Sequence, residues 1–207
     1  IISEKLLEVQ KKYDWPHNIT ISIGKNERII ETTYMLKDMF EFVMSVQSMN
    51  QDVLDATGRT NIPVEKYKKM AKHLRDGGRS TLAETLCPLP KETIKTFFQG
   101  TKELMSMQVQ RIVSNTLMFL RGTVYEDKKY AEKYGYKTKF RLLPTQFGIY
   151  GGEKIFEFEE VAITTNTMSF NEYLETRKFT FIVEMLYNSK IFRELEFLLE
   201  DYKLDYY

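Results

Sequence analysis

The feature that most constrains the fold is a repeated alternation of short apolar runs with helical stripes in the first half of the chain. Ile19–Ile23 is β-branched and ends at Gly24, and a second apolar run covers Phe42–Val46. Two more runs with strand character fall at 80–87 and 112–120. Strands separated by helices and short connections are typical of parallel β-α-β units.

Helical patterns fill the gaps between these runs. Residues 27–40 carry a rough helical stripe, and Asp52–Ala56 predicts a short helix. Pro63 suits the first turn of a longer helix because its missing N–H would have no partner there. That helix has apolar residues at helical spacing and a Gly77–Gly78 end signal, and another helix is predicted from Thr93. The apolar residues of the Pro63 helix are Tyr67, Met70, Ala71 and Leu74.

The pattern leaves two architectures open. Four parallel strands with crossover helices make either half of an eight-stranded barrel or a small doubly wound sheet. Strands rich in Val, Ile, Leu and Phe fit a sheet covered by helices in both cases.

The chain changes character near residue 125, where we place a boundary between domains 1–125 and 126–207. The second part is predicted to be a mostly helical extension with a short strand or hairpin. Ser169 and Glu172 form a capping-box pattern in front of a long helix. The patterns for a turn, a half-exposed strand and a last helix lie at Gly151–Gly152, Phe156–Glu159 and Ile191–Leu199.

Composition excludes several classes of protein. Thirty basic and twenty-nine acidic residues leave a net charge of +1, so there is no global electrostatic footprint for nucleic acid or anionic lipid. No apolar run approaches the roughly 18–20 residues of a membrane span, so we expect a cytoplasmic protein without a membrane partner. The lone Cys87 excludes an internal disulfide and any cysteine-only metal cage made by this chain.

Common catalytic patterns are absent from the sequence. His17 and His73 are far apart, and neither neighbours another plausible metal ligand, so no metal site is predicted. No serine or cysteine stands in a nucleophile-elbow context, and the Gly-x-x-x-x-Gly-Lys-Ser/Thr phosphate loop is missing.

Polar groups near the carboxyl ends of the predicted strands are more informative, because parallel barrels build their sites there. Gln47 and Ser48 follow the second strand, and Glu84 lies inside the third. Arg59 ends the short helix and could return to the same face. One interpretation is a buried Glu84–Arg59 pair or a loop-bracing network. The other is a ligand cradle, in which an amide and a carboxylate bind sugar hydroxyls and a guanidinium binds a carboxylate.

Three ordered segments resemble the radical SAM superfamily. The stretch Ser45–Leu54 that continues to Arg59 resembles the S-x-Q-S…L…R segment of that family. Leu82–Thr93 resembles its acidic strand with L-P-x-E-T, and Leu117–Thr123 its strand-and-G-T segment. The resemblance covers residues 17–125 well and the rest loosely. It is greatest to members that carry a cobalamin-binding domain ahead of the radical SAM domain.

The resemblance implies an α/β fold, a partial (β/α) TIM-type barrel of parallel strands followed by the mostly helical C-terminal extension. It implies a small-molecule cofactor, S-adenosylmethionine, which a 4Fe–4S cluster cleaves to a 5′-deoxyadenosyl radical, and it makes cobalamin a candidate cofactor. Gln47 and Glu84 would hold the ribose hydroxyls. Ser45, at the start of the first segment, would be a further residue of the cofactor site. Arg59 would meet the methionyl carboxylate. The residues implied around the adenine are Leu86 and the strand at Met118.

The chain also departs from the family pattern. The three-cysteine cluster motif and the glycine-rich amine-binding segment are missing, and we expect both upstream of Ile1, in an N-terminal part of the same protein. Pro88 and Lys91 stand where many relatives have glycine. Because proline fixes φ and lacks an N–H, the usual tight loop is in doubt there.

The leading hypothesis is therefore a piece of a radical SAM enzyme that forms part of the cofactor pocket and is inactive by itself. The alternative is a non-catalytic α/β binding or interaction module, in which Gln47, Arg59 and Glu84 form a structural network. A third hypothesis, RNA binding by 126–141, has only six basic against three acidic residues, so a solvated linker is favoured and nucleic acid is not an expected partner. An exposed sheet edge and an exposed apolar face predict that the isolated chain forms a homodimer or is marginally soluble.

Overall fold

Four parallel strands and the helices between them form the first part of the chain. The computed structural model describes residues 2–20, 32, 34–36, 39–76, 78 and 80–204. In chain order the elements are α1 (Ile2–Tyr13), β1 (Ile19–Thr20), β2 (Phe40–Gln47), α2 (Gln51–Ala56), α3 (Val64–Asp76), β3 (Thr81–Cys87), α4 (Ile94–Ser106) and β4 (Arg111–Thr116). The strand predicted at 19–23 is described at its first two residues only. The rest of that strand and most of the predicted helix 27–40 lie outside the described residues.

The strands neighbour each other in chain order, β1-β2-β3-β4, and every pair is parallel. Met44, Ala83 and Ile112 form one row across the three longer strands. The α/β class with parallel strands is thereby confirmed. The fourth strand ends at Thr116 instead of continuing to Leu120, because the residues after it bond to a different sheet.

Both crossover helices pack on the same face of this sheet. Tyr67, Met70 and Leu74 of α3 are buried in one cluster with the Met44–Ala83–Ile112 row. Leu104 and Met105 of α4 join that cluster. The i, i+3, i+7 spacing of the α3 residues is what places them on one helical stripe. The sheet is therefore covered by these helices on one side.

Local capping explains where two of these helices begin. Thr93 accepts a hydrogen bond from the Thr96 backbone N–H, and the Thr96 hydroxyl accepts one from the Thr93 N–H, so α4 has a capping box. Asn50 caps α2 by accepting from the Asp52 N–H. These side chains satisfy amide donors that a helix leaves without an internal partner.

The second part of the chain contains a long hairpin as well as helices. Its elements are α5 (Lys128–Lys133), β5 (Lys137–Tyr150), β6 (Glu153–Thr164), α6 (Phe170–Ile182), a π-helix (Val183–Asn188) and α7 (Arg193–Asp201). The predicted hairpin is present but is long instead of short, because its two antiparallel strands together span 137–164. The sequence analysis assigned the start of β5 to a charged segment, although Lys137, Lys139 and Arg141 alternate with other residues as in a strand.

Contacts join the two parts. The backbone N–H of Ala162 donates to the Leu117 carbonyl, and that of Phe119 donates to the Glu160 carbonyl, so the hairpin base binds the segment after β4. The Asn188 side chain exchanges two 2.8 Å hydrogen bonds with the backbone of Ile112. The boundary near residue 125 stays a prediction. Among the described helices, none combines the length and the apolar character needed to cross a membrane.

Candidate functional site

Of the polar residues that the sequence singled out, Glu84 lies on the sheet face that the crossover helices leave uncovered. Burial alternates along β3, where Ala83, Thr85 and Cys87 are buried under the helices. Glu84 and Leu86 point to the opposite side and are half-buried. Ser45 of β2 is the register partner of Glu84 and is half-buried as well. A parallel sheet is normally covered on both faces, so this side is where a ligand or further chain would pack.

Ser45 and Glu84 are in contact. The Ser45 hydroxyl donates to the Glu84 carboxylate at 3.3 Å. Within the part of the chain that the structure describes, no ion pair joins Glu84 to Arg59. The predicted buried Glu84–Arg59 pair is therefore not formed. The second carboxylate oxygen of Glu84 can accept hydrogen bonds from a ligand.

Gln47 leaves this row. The register shifts between Ser45 and Gln47, so Gln47 pairs with Thr85 and not with Leu86. Its φ of 69° lies in the left-handed region, which a non-glycine residue adopts at a cost. Gln47 thus sits at the end of β2, next to a small cavity instead of beside Glu84.

That cavity contains a buried carboxyl that the sequence analysis gave no role. Glu92 is 1% exposed and accepts hydrogen bonds of 2.5 Å from the hydroxyls of Ser48 and Thr96. Burial raises the pKa of Glu92, and these hydrogen bonds oppose the rise. The Thr85 hydroxyl, also buried there, has no hydrogen-bond partner among the described residues. Glu92 belongs to the L-P-x-E-T segment, so its position in that motif could have indicated a role for this residue.

The Ser48–Glu92 contact joins two of the motif segments, Ser45–Leu54 and Leu82–Thr93. Ser48 lies directly after β2, and Glu92 lies in the loop before α4. The Asn61 side chain donates to the Ser48 carbonyl at 2.8 Å, which draws the segment after Arg59 toward the end of β2. Arg59 is exposed, and its charge lowers the pKa of Tyr125 against the larger raising effect of burial. Arg59 therefore lies near Tyr125 at this end of the sheet.

An aromatic cluster that the sequence analysis missed packs against the same buried residues as Leu86. The Phe119 ring lies 5.8 Å from Tyr125 and 5.2 Å from Tyr136, centre to centre, and all three, like Leu86, pack against the apolar cluster that contains Leu117. The Tyr136 hydroxyl lies 3.4 Å from the Pro88 carbonyl, and burial raises the pKa of Tyr136. The density of tyrosine after residue 124 was the available signal, but the sequence interpretation assigned it to a solvated linker.

The two remaining predicted residues differ in their surroundings. Met118 forms an isolated bridge with Val161 of β6 and is 37% exposed, so the hairpin base holds its backbone. Lys91 has a φ of 63°, the conformation for which glycine is suited, and it is exposed. The loop therefore contains a left-handed residue at Lys91 without glycine.

Cys87 is not suited to bind a cluster. Its sulfur lies 3.6 Å from Met168 Sδ and 3.5 Å from the Thr176 hydroxyl, inside a buried apolar cluster. Burial raises the pKa of the Cys87 thiol to about 12, whereas metal binding needs a thiolate. The described residues also contain no group of three or more potential metal-ligating side chains. An iron–sulfur cluster does not fit the residues of this chain.

Comparison with known proteins supports the resemblance. No family model matches the chain. It is 25% identical over 213 residues to the cobalamin-dependent radical SAM methyltransferase TokK of Streptomyces tokunonensis, covering 99% of this chain and 31% of that protein. It is also 25% identical over 205 residues to a 2-(S-pantetheinyl)-carbapenam-3-carboxylate methyltransferase of Streptantibioticus cattleyicolor, covering 96% of this chain and 30% of that protein.

A solved structure is also similar in part. It is the radical S-adenosylmethionine methyltransferase TsrM from Kitasatospora setae, with 16% identity and a TM-score of 0.46, covering 56% of this chain and 24% of that one.

The predicted resemblance to radical SAM proteins with a cobalamin-binding domain is confirmed by the first of these relatives, and the second is likewise a methyltransferase. The chain is similar, over almost its whole length, to part of a cobalamin-dependent radical SAM methyltransferase. It spans about a third of the length of the relatives that it matches.

Proposed function

We propose that this chain forms part of the S-adenosylmethionine pocket of a cobalamin-dependent radical SAM methyltransferase. The observation that carries the proposal is the contact between Ser45 and Glu84 on the sheet face that the crossover helices leave uncovered. Both residues come from motif segments that resemble this family. The names of the two sequence relatives support methyl transfer as the reaction.

The side chains have the character that each proposed contact needs. The Glu84 carboxylate accepts hydrogen bonds from ribose hydroxyls, with Ser45 holding one of its oxygens. Arg59, exposed at the same end of the sheet, pairs with the methionyl carboxylate. Leu86 and Met118 offer apolar surface to the adenine, together with the Phe119 ring, which packs against the same buried cluster as Leu86. Gln47 lies past the register shift, so its side chain would have to extend toward Glu84 to contact the same ribose.

The cluster ligands have to come from elsewhere. The 4Fe–4S cluster supplies the electron for reductive cleavage when it is bound, and it needs thiolate ligands. This chain has one cysteine, and that cysteine is buried. The proposal therefore places the cluster motif, and a cobalamin-binding domain, in an N-terminal part of the same protein.

We also propose that the sheet is a segment of a (β/α) barrel. Two observations support this over a doubly wound sheet. The strands follow chain order without a reversal, and α3 and α4 cover the same face. In a barrel the helices form an outer ring and the inner strand ends carry the site, which agrees with the position of Ser45 and Glu84.

Glu84→Gln tests the pocket, in the longer polypeptide that contains the cluster segment. Removing the charge while keeping the shape should weaken S-adenosylmethionine binding by roughly 10- to 100-fold, because hydrogen bonds to a charged group contribute about 1.5–3 kcal/mol. The unfolding free energy should change by less than about 1 kcal/mol, since Glu84 is only half-buried and unpaired with Arg59. Calorimetric titration and urea denaturation measure the two quantities.

Glu65→Gln, on the exposed surface of α3, is the matched control and should leave the affinity unchanged. Unaltered affinity in Glu84→Gln would overturn the pocket assignment. A loss of several kcal/mol in stability with unaltered affinity would favour the alternative, a binding or interaction module in which Glu84 is structural.

A further inference from the structure

The β5–β6 hairpin is amphipathic. Directly opposed residues of an antiparallel pair share a face, so the register assigns each side chain to one of two surfaces. One face carries six large apolar side chains, each 54–70% exposed: Phe140, Leu142, Phe147, Ile149, Phe156 and Phe158. We call this surface the hairpin apolar face. The other face carries the charged residues Lys139, Arg141, Glu153 and Glu159, and also Tyr150 and Ile155.

Ring contacts confirm the register assignment. Phe140 and Phe158 lie 5.6 Å apart, centre to centre, and Phe147 and Phe156 stack at 6.2 Å. Near its base this face carries Ala162, which is buried in a cluster with Leu89 and Leu117. An apolar face of this size is rarely left in water, so it marks an interaction surface.

We infer that the hairpin apolar face packs against the same face of a second copy of this chain. Its six side chains expose on the order of 700 Å² per copy, taking roughly 150–250 Å² for a large aromatic. A stable standard interface buries about 800 Å² per partner, so one pair of hairpin faces suffices. Two such sheets packed face to face form a four-stranded sandwich, with side chains from both inner faces interdigitated.

The charges at the two ends of this face match a twofold arrangement. Lys154, opposite Ile149, lies at the tip, and Glu160, opposite Phe140, lies at the base, where it accepts a hydrogen bond from Thr138. They are six residues apart on one strand, roughly 20 Å. A twofold axis near Phe156 and Phe158 lays the hairpins antiparallel, so each Lys154 meets Glu160 of the second copy. An isologous dimer requires this kind of self-complementarity.

This assignment differs from dimerisation through sheet edges, which the sequence predicted. Edge pairing would use backbone hydrogen bonds and would not depend on the apolar side chains of one face. The proposed dimer is also independent of the proposed function, because no residue of the hairpin apolar face belongs to the proposed cofactor pocket.

Sedimentation velocity of the 207-residue chain, over about 1–100 µM, tests the dimer. The wild-type chain should sediment as a dimer, and Phe147→Ser/Phe156→Ser should be monomeric while keeping its circular dichroism spectrum, since both rings are exposed in the monomer. Lys154→Glu should weaken the dimer at least tenfold, and adding Glu160→Lys to it should recover most of the affinity. Phe181→Ser, an equally exposed aromatic on α6, is the control and should remain dimeric.

A monomeric wild-type chain throughout that range would overturn the proposal and assign the face to another protein or another segment. A dimer that survives Phe147→Ser/Phe156→Ser would also overturn it. Equal dissociation by Phe181→Ser would indicate unspecific association. Failure of the charge swap to recover the dimer would exclude the antiparallel arrangement.

Discussion

Glu92 shows at the scale of one residue how a motif position becomes a structural brace. Its carboxyl ties the loop after β2 to the first turn of α4 through Ser48 and Thr96. Buried acids of this kind ionise reluctantly, because water can no longer stabilise the charge. The Ser48–Glu92 contact therefore links stability to pH.

Glu92→Gln should show that link. An acid whose pKa is raised on folding contributes stability that is present below its usual pKa of 4.5 and lost as pH rises through the folded value. The stability of Glu92→Gln relative to the wild type should therefore be higher at pH 7 than at pH 4.5, as measured by urea denaturation. Thr101→Val, in the wall of the same cavity, is a control whose effect should not vary with pH. A pH-independent difference for Glu92→Gln would refute this account.

Lys91 is held in a backbone conformation that favours glycine. The left-handed region costs an ordinary residue about 1–2 kcal/mol, and glycine avoids most of that cost. Lys91→Gly should raise the unfolding free energy by roughly 0.5–1 kcal/mol after the greater freedom of glycine in the unfolded chain is included. Lys95→Gly, inside α4, should lower it by about 1 kcal/mol. If Lys91→Gly proved destabilising, the backbone strain assigned to this position would be refuted.

At the scale of elements, sequence patterns predicted those features that depend on neighbouring residues, such as the first residue of a helix. The sequence predicted the start of α6 from Ser169 and Glu172, and the structure has the complete capping box. The same signals did not reveal the length of the hairpin. Gly151 and Gly152 do form its turn, with φ values of 59° and 87°. The register of β5 includes a shift between Leu142 and Phe147, which breaks the period-2 pattern that identifies a strand.

Ser169→Ala should destabilise the chain by about 1 kcal/mol, because Ser169 satisfies the Glu172 N–H and holds the Glu172 carboxylate. The hydrogen bonds that the Ser169 hydroxyl and N–H donate to the Glu172 carboxylate lower the pKa of Glu172, so their contribution should be lost as pH falls through that lowered value, whereas the bond from the Glu172 N–H to Ser169 persists. Ser106→Ala, at the exposed end of α4, should change stability by no more than about 0.5 kcal/mol. Thermal denaturation at pH 7 and at acidic pH measures both effects, and equal losses in the two variants would argue against the cap.

For the whole molecule, the proposed function predicts that the 207-residue chain cannot cleave S-adenosylmethionine. Reconstituted with iron and sulfide and supplied with a reductant, it should produce no 5′-deoxyadenosine above a protein-free control, because Cys87 is its one cysteine and is buried. The positive control is a polypeptide that includes the upstream cluster segment. Appreciable product from the 207-residue chain would contradict the need for cluster ligands outside it.

The burial of the tyrosines after residue 124 depends on contacts with distant parts of the chain. Tyr134 is buried, and Tyr125 and Tyr136 pack with Phe119 against the apolar cluster that contains Leu117, so these rings are partly withdrawn from solvent. The sequence shows only their density, because their neighbours come from strand ends far away in the chain. For the same reason no periodicity could indicate that Gln47 leaves the row of Ser45 and Glu84, since a register shift is a property of two strands.

The sequence by itself determined the alternation of strands and helices, the helix caps and the order of the motif segments, because each depends on residues within a few positions of one another. Only the tertiary structure decided which motif residues meet: Ser45 with Glu84, and Ser48 with Glu92. It also decided that six apolar residues share one exposed face of the hairpin. These arrangements follow from strand register and from packing between distant segments, which no local pattern encodes.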